Sequence, residues 1–222
     1  MPMFVRKLKH AMYLALVRMI VKISPQPSYM LFAGAGSSRQ LCDFLVRTGI
    51  GKVLVVTDKP LRELGVVDQA VQGLAEAGVD IAYYDGVLPD PTYPQVEAGV
   101  AVMRAHGSDV VLAVGGGSAI DAAKIIAASS ASPDDPRDWV GFGKVKHEIP
   151  KIYAIPTTSG TGSEATMGAV ISDPVSHEKG VISGSTLLPA AAALDPDLIL
   201  GLPAPITAAT GMDALTHGIE AY

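Results

Sequence analysis

Short apolar runs alternate along the chain with longer segments in which apolar residues recur every three or four positions. The short runs, many of them rich in valine and isoleucine, predict buried β-strands, and the longer segments predict amphipathic α-helices. The predicted strands are residues 29–33, 52–58, 79–85, 109–117, 151–159 and 191–195. The predicted helices are residues 37–49, 67–78, 95–107 and 118–130. Because apolar strands alternate with helices, the sequence predicts an α/β fold, a Rossmann-like parallel sheet with flanking helices.

The same pattern divides the chain into three parts. Residues 1–28 form an N-terminal arm, residues 29–202 form the α/β domain, and residues 203–222 form a helical part that begins a second domain. The arm is predicted to be an amphipathic helix, because its apolar stretch contains Arg18 and is too short to cross a membrane. The helix packs on its own protein, on a second subunit or on a membrane surface. Residues 173–205 are predicted to form loops with short strands.

Composition excludes several classes of protein. With 49% hydrophobic and 18% charged residues, the chain can bury a core and does not resemble a disordered protein. The net charge of −5 and the lack of a basic stripe argue against a nucleic-acid partner. The single cysteine, Cys42, rules out a disulfide framework, and a cytoplasmic protein fits this composition best.

The loops that follow the predicted strands are where ligands should bind, because parallel α/β sheets bind them at the carboxyl ends of their strands. The segment AVGGGSAIDAAK places Gly116, Gly117 and Ser118 between a strand and a helix. Backbone amides there can approach a phosphate closely, and the helix dipole favours an anion. The loop lacks the G-K-[ST] motif of the P-loop nucleotide triphosphatases. A tight turn with Ser118 as helix cap is the alternative, and Lys124 either binds phosphate or lies on a solvated face.

Two other predicted strands also lead into polar residues. Asp58 lies about 20 residues after Gly36, the spacing at which dinucleotide-binding folds place the acidic residue that bonds the adenosine ribose. A carboxylate there would repel a 2′-phosphate and favour NAD over NADP, although a helix cap is the competing interpretation and residues 34–36 lack the third glycine of the motif. The segment PTTSGTGSEAT is either a solvated loop or a source of hydroxyl groups for a diphosphate, ribose or carboxamide. These hydroxyl groups belong to Thr157, Thr158, Thr161 and Ser163.

Asp213 and His217 are four residues apart in the helical C-terminal part. Residues at this spacing lie on one face of a helix, about 5–6 Å apart at Cβ. An aspartate and a histidine so placed can bind one metal ion together, but a catalytic metal site typically has at least three protein ligands. The pair therefore predicts half of a metal site.

Four motifs, VVTD, GGGSAIDAAK, PTTSGTGSEAT and ATGMDALTHGIEAY, resemble in this order the iron-containing alcohol dehydrogenase family over residues 29–222. The resemblance implies a nucleotide-binding α/β domain and an all-helical domain, with a metal ion in the cleft between them. It implies that Asp58 contacts the adenosine ribose and that Lys179 lies near the nicotinamide ribose. Asp213 and His217 correspond to the first two metal ligands and are the expected catalytic residues. The residues expected to bind the rest of the cofactor are Gly116, Gly117, Ser118, Thr157, Thr158, Thr161 and Ser163.

The resemblance also implies a reaction, the reversible transfer of a hydride between NAD and a small alcohol or aldehyde. Fe²⁺ or Zn²⁺ would act as a Lewis acid, and a carboxylate with imidazoles suits either metal. The family's two other ligands are histidines further along the helical domain. We therefore interpret the chain as a fragment, rather than a natural truncation, of an enzyme that is a homodimer at full length. A glycerol or polyol dehydrogenase, a reductase of keto or aldehyde acids, and an inactive nucleotide-binding fragment are the alternatives. The histidines that match no ligand position are His10, His106, His147 and His177.

Overall fold

The computed structural model of the chain describes Met12 and residues 29–221, so the predicted arm lies, Met12 apart, outside the described residues. Within residues 29–221, nine strands, numbered along the chain, form two sheets. The larger sheet contains β1 (Met30–Ala33), β2 (Lys52–Val56), β3 (Asp80–Tyr84), β4 (Val110–Gly115), β6 (Lys151–Pro156) and β9 (Ala191–Leu194). Its strands are all parallel and lie in the order β1-β9-β6-β4-β2-β3. The strands predicted from the apolar runs are confirmed.

Residues 29–221 form six α-helices: α1 (Ser37–Arg47), α2 (Lys59–Glu63), α3 (Val66–Glu76), α4 (Tyr93–His106), α5 (Gly117–Ser130) and α6 (Ala204–Ala221). Four of them were predicted between strands, whereas the short helix α2 was not. Helix α6 lies in the predicted helical part and contains no buried residue. Within the described residues, no helix combines the length and the apolar character that a membrane span requires.

Both faces of the large sheet are buried, as the uninterrupted apolar strands predicted. Val53 and Val55 of β2 point to one side, where they join the apolar residues of α1 and α3. Leu54 and Val56 point to the other side, where they join those of α4 and α5. Because successive side chains of a strand face opposite ways, a strand covered on both sides must be apolar at every position.

A second sheet was not predicted as a unit. It consists of β5 (Gly141–Phe142), β8 (Lys179–Ser183) and β7 (Gly168–Ser172), with β8 in the middle, parallel to β5 and antiparallel to β7. Its inner face buries Ala169, Ile171 and Ile182. Two positions of β7 and one of β8 are buried, so these short strands lack the continuous apolar runs by which the large sheet was recognised.

The strand order reverses between β2 and β4. From β2 the chain continues to β3 at one edge of the sheet, and from β4 it continues to β6 on the other side. Ligands of open α/β sheets bind outside the carboxyl ends of the strands at such a switch point. The loops that leave β2, β4 and β6 therefore frame the expected site.

Candidate cofactor and metal site

Helix α5 begins at the switch point with its backbone amides free of a side-chain cap. Gly116 precedes the helix in an extended conformation, and no described side chain accepts a capping hydrogen bond there. The alternative of a turn capped by Ser118 is therefore not observed. The first four N–H groups of a helix have no partner inside it, and they attract anions. The geometry leaves these groups available to an external acceptor.

The loop after β6 lies directly against this glycine turn. A Cβ atom on Gly117 would stand 2.8 Å from Cγ2 of Thr161, and one on Gly116 would stand 3.2 Å from Oγ1 of Thr158. Distances below 3.0 Å are essentially never seen for real Cβ atoms, so a side chain on residue 117 would force Thr161 to shift. The structure thus brings together two motifs that are about 40 residues apart in the sequence. The hydroxyl-bearing residues of this loop are Thr157, Thr158, Thr161 and Ser163, of which Thr157 and Ser163 are buried.

Asp58 acts as a helix cap and also faces the glycine turn. Its Oδ1 accepts a hydrogen bond of 2.9 Å from the amide of Leu61, which caps α2. Its Oδ2 lies 3.9 Å from the position that a Cβ atom on Gly115 would take. Partial burial raises the pKa of the Asp58 carboxyl, against the hydrogen bond from Leu61, which lowers it. The cap uses Oδ1 only, which leaves Oδ2 available to a ligand. Contact between Oδ2 and a ribose stays a prediction.

The first glycine segment, Gly34 to Gly36, is not a second anion site. The buried carboxylate of Asp195, which follows β9, accepts hydrogen bonds from the amides of Gly36 (3.1 Å) and Ser38 (3.0 Å) and from the Ser38 hydroxyl (2.5 Å). Asp195 therefore occupies the N-terminus of α1. Sequence analysis missed this role, although a lone aspartate closing the AAALD strand was a usable signal, because strand ends and helix starts meet at this edge of the sheet.

Lys124 neither binds an external phosphate nor lies on a solvated face. It is fully buried in α5, and its ammonium group donates to the carbonyl oxygens of Ser163 (2.8 Å), Thr166 (3.0 Å) and Gly168 (2.6 Å). Burial lowers the pKa of Lys124 to about 8, because the charged form loses its hydration. Both readings offered by the sequence are wrong, since the partners of Lys124 lie in a distant segment.

Lys179, the first residue of β8, pairs with an aspartate of a distant loop. Its ammonium group lies 2.6 Å from Oδ1 of Asp90, and both side chains are more than half exposed. Asp90 belongs to the loop between β3 and α4. The role of Lys179 near a nicotinamide ribose remains a prediction.

Asp213 and His217 lie on one face of α6, as their spacing predicted. Nε2 of His217 is 3.9 Å from Oδ1 of Asp213, and each side chain is about half exposed. Nδ1 of His217 contacts the carbonyl oxygen of Gly160 at 3.2 Å. A carbonyl oxygen can only accept, so this contact assigns the proton of the neutral ring to Nδ1 and leaves the electron pair of Nε2 for a metal. A hydrogen bond of this kind is the usual orienting contact of a metal-binding histidine.

The pair packs on the same loop that touches the glycine turn. A Cβ atom on Gly160 would stand 2.7 Å from the carbonyl oxygen of Thr210 and 3.0 Å from Oδ2 of Asp213. Helix α6 can therefore approach the loop only because residue 160 is glycine. Residues 157–163 thus contact the start of α5 through Thr161 and helix α6 through Gly160.

A complete metal site is not found among the described residues. No group of three or more histidine, cysteine, aspartate or glutamate side chains in that part of the chain is arranged to hold a metal ion. His106 lies 3.0 Å from Asp80, and Nε2 of His147 lies 2.9 Å from the carbonyl oxygen of Ala128. Both histidines are therefore engaged elsewhere. A carboxylate and an imidazole fit a divalent metal chemically, and they supply part of its ligand set.

Comparison with known proteins agrees with this architecture. A family model described as iron-containing alcohol dehydrogenase matches residues 27–196. The 1,3-propanediol dehydrogenase of Citrobacter freundii is 43% identical over 173 residues, which are 77% of this chain and 45% of that protein. A crystal structure of 1,3-propanediol oxidoreductase superposes with a TM-score of 0.82 at 37% identity, covering 88% of this chain and 52% of that chain. The sulfoacetaldehyde reductase of Bifidobacterium kashiwanohense, solved in complex with NAD⁺, gives a TM-score of 0.79 at 29% identity, covering 89% and 52%.

A parallel α/β sheet with a glycine turn at its switch point defines the class of Rossmann-like nucleotide-binding folds. Within that class, the family match covers most of the described α/β domain and the relatives are oxidoreductases of alcohols and aldehydes. The chain belongs to the iron-containing alcohol dehydrogenase family. It spans about half the length of the relatives that it matches.

Proposed function

We propose that this chain binds NAD and contributes half of a metal site to an enzyme that transfers a hydride between NAD and a small alcohol or aldehyde. One observation carries the proposal. Residues 157–163 touch the uncapped start of α5 through Thr161 and the carboxylate–imidazole pair through Gly160. A cofactor and a metal bound to these two surfaces would be close neighbours, as hydride transfer to or from a metal-bound substrate requires.

The glycine turn is the proposed diphosphate site. Backbone amides of Gly117 and Ser118 would donate to the phosphate oxygens, and the positive end of the α5 dipole would add to the attraction. Thr158 and Thr161 stand at the opposite wall of the turn, where their hydroxyl groups can donate to the same anion or to a ribose. The sulfoacetaldehyde reductase solved with NAD⁺ supports this cofactor class.

The face of α6 is the proposed metal-binding surface. Oδ1 of Asp213 and Nε2 of His217 would hold the ion, with Nδ1–H of His217 fixed by the carbonyl of Gly160. When bound, Fe²⁺ or Zn²⁺ supplies Lewis-acid chemistry that makes an alcohol hydroxyl easier to deprotonate. The remaining ligands come from protein beyond the described residues, which fits a chain that matches about half of each relative.

An inactive nucleotide-binding fragment is the second candidate function. The finding that favours it is the lack of a third potential ligand near Asp213 and His217 within the described residues. Under this alternative the chain binds NAD but never turns over an alcohol. The homodimeric state and the cytoplasmic location of the enzyme stay predictions.

A metal and turnover assay separates the two candidates. A polypeptide of these 222 residues is expected to bind Fe²⁺ or Zn²⁺ weakly and to show little alcohol dehydrogenase activity, because two ligands do not close a catalytic site. Adding the helical remainder of a family member in trans or by fusion should raise both. Tight stoichiometric metal binding with turnover by the 222 residues alone would contradict this division of the site.

A second prediction concerns the choice between NAD and NADP. Asp58→Gly is expected to relax the preference for NADH over NADPH, because the carboxylate no longer repels a 2′-phosphate. Glycine is also a tolerated cap, so the stability of α2 should fall by only a few tenths of a kcal/mol. Affinities for both cofactors, measured by fluorescence titration, give the ratio directly.

The matched control is Asp58→Asn, which removes the charge but keeps a good capping side chain. It should relax the preference as Asp58→Gly does, while the thermal unfolding midpoint stays near that of the wild type. A wild-type protein that binds NADPH about tenfold more tightly than NADH, a difference of about 1.4 kcal/mol, would show that Asp58 does not face the 2′ position.

A further inference from the structure

Lys124 is a fully buried cation inside the domain, away from any surface. It is the largest fully buried side chain of the described residues. Its ammonium group contacts three carbonyl oxygens, those of Ser163, Thr166 and Gly168, and also Oγ1 of Thr166 at 3.1 Å. An ammonium group has three protons, so the three carbonyls satisfy it completely. Burying such a charge costs several kcal/mol in general, so an apolar residue would be the cheaper way to fill this space.

Asp121, one turn earlier on α5, reaches the same segment. Its Oδ2 accepts a hydrogen bond of 2.9 Å from the amide of Val170, and its Oδ1 lies 3.9 Å from the Lys124 ammonium. Burial raises the pKa of the Asp121 carboxyl, and the charge of Lys124 opposes this rise. Hydrogen bonds of these two side chains attach residues 163–170 to one side of α5.

The attached segment, residues 163–170, directly follows the loop that lines the glycine turn. At one end, Thr161 lies against the start of α5 at Gly117. Two residues later, the carbonyl oxygen of Ser163 accepts a hydrogen bond from the Lys124 ammonium group. Helix α5 therefore contacts the loop at two points. One is Gly117, beside the proposed diphosphate site, and the other is Lys124, about two turns further along the helix. A shift of the loop at Ser163 would move Thr161 relative to the amides of the turn.

We propose, on the basis of the proposed NAD site, that Lys124 is a positioning residue whose buried ammonium group holds residues 157–170 at the distance from the glycine turn that the cofactor requires. Lys124 does not touch the cofactor in this account. It acts through three carbonyl groups, and an apolar residue of the same length would fill the space without orienting them.

Removal of the ammonium group tests this role. Lys124→Met keeps most of the side-chain length and loses all three donated hydrogen bonds. We expect NADH to bind at least tenfold more weakly, with faster amide hydrogen exchange confined to residues 157–170 in the ligand-free protein. The thermal unfolding midpoint should fall, because three buried carbonyl oxygens lose their donor and the buried carboxylate of Asp121 loses its counter-charge. Unchanged affinity or unchanged exchange in that segment would overturn the proposal.

The pH dependence of binding separates positioning from simple packing. The charged groups around Lys124 are Asp121 on its own helix and Glu164 in the loop. Because burial lowers the pKa of Lys124 to about 8, the ammonium loses its proton and one donor between about pH 7 and pH 9.5. Wild-type affinity for NADH should therefore fall across this range, whereas that of Lys124→Met should not change.

The free energy of unfolding should rise with pH, whereas the NADH affinity should fall. A lysine whose folded pKa lies below its unfolded value binds fewer protons when folded, so its contribution to stability rises as the pH increases from about 8 to about 10.5. If Lys124 had only a packing role, its deprotonation would leave the NADH affinity of the folded protein unchanged. Weaker NADH binding together with a more stable fold is specific to the positioning role.

Asp121→Asn is the second variant and leaves Lys124 in place. Asp121 raises the pKa of Lys124, so its neutral replacement should move the fall in NADH affinity to lower pH. An unshifted profile would contradict the proposal even if Lys124→Met failed to fold. A wild-type chain that binds no NADH would refute the proposed function, while the exchange of residues 157–170 in Lys124→Met would still show whether Lys124 holds the loop.

Discussion

Gly117→Val is expected to weaken NADH binding far more than it weakens folding, by at least tenfold, or about 1.4 kcal/mol. A Cβ atom at this position would stand 2.8 Å from Cγ2 of Thr161, so Thr161 must shift away from the turn. The branched side chain would also keep the diphosphate from the amides of α5. Both walls of the proposed cofactor site are therefore damaged by one substitution.

Gly201→Val is the matched control for this experiment. A Cβ atom on Gly201 meets nothing within 4 Å, and the residue is exposed in the turn before α6. This variant should bind NADH as the wild type does. Equal NADH affinity in Gly117→Val and the wild type would mean that the glycine turn is only a tight connection between β4 and α5.

Asp195→Ala is expected to lower the free energy of unfolding by about 3 kcal/mol, the largest stability change considered. The carboxylate accepts hydrogen bonds from two amides at the start of α1, from the Ser38 hydroxyl and from the amide of Asp197 at 3.2 Å. All these donors would lose their acceptor in a buried place, because Asp195 is only 2% exposed. Urea denaturation measures the loss, and Asp197→Ala, at an exposed neighbour, should change stability little.

The same carboxylate gives the fold a defined acid sensitivity. Burial alone would raise the pKa of Asp195, but the hydrogen bonds from Ser38, Asp197 and Gly36 outweigh it, and the pKa is lowered. A lowered folded pKa means that this contribution is present above the unfolded pKa of about 3.9 and is lost as the pH falls through the folded value. The stability gap between wild type and Asp195→Ala should therefore shrink at low pH. A gap that stays constant from neutral pH down to pH 2 would contradict the assignment.

The sheet could be predicted from the sequence because its physics is local. A strand covered on both faces needs a continuous apolar run, so VLVV (53–56) and VVLAV (110–114) predict buried strands by themselves. The glycine turn and the pair Asp213 and His217 were also found locally, from a strand-to-helix junction and a four-residue spacing. Their meeting across residues 157–163 depends on the fold and could not be derived from spacing.

The roles that sequence analysis missed depend on contacts between distant residues. Asp195 caps a helix 157 residues earlier in the chain, and Lys124 binds carbonyls 39 to 44 residues further on. A charged residue inside a helical pattern is most often solvated, so its burial is visible only when the packing of the neighbouring segment is known. The small sheet was missed for a related reason, since only two positions of β7 and one of β8 are buried and the pairing of these strands depends on the fold.

A calorimetric titration of NADH into the purified 222-residue protein, repeated with Gly117→Val and with added inorganic pyrophosphate, shows whether the cofactor binds at the glycine turn. We expect one NADH per chain, competition by pyrophosphate for the glycine turn, and at least tenfold weaker binding in Gly117→Val. Failure of the folded wild-type protein to bind NADH, or binding that neither pyrophosphate nor the Gly117→Val substitution weakens, would contradict this expectation.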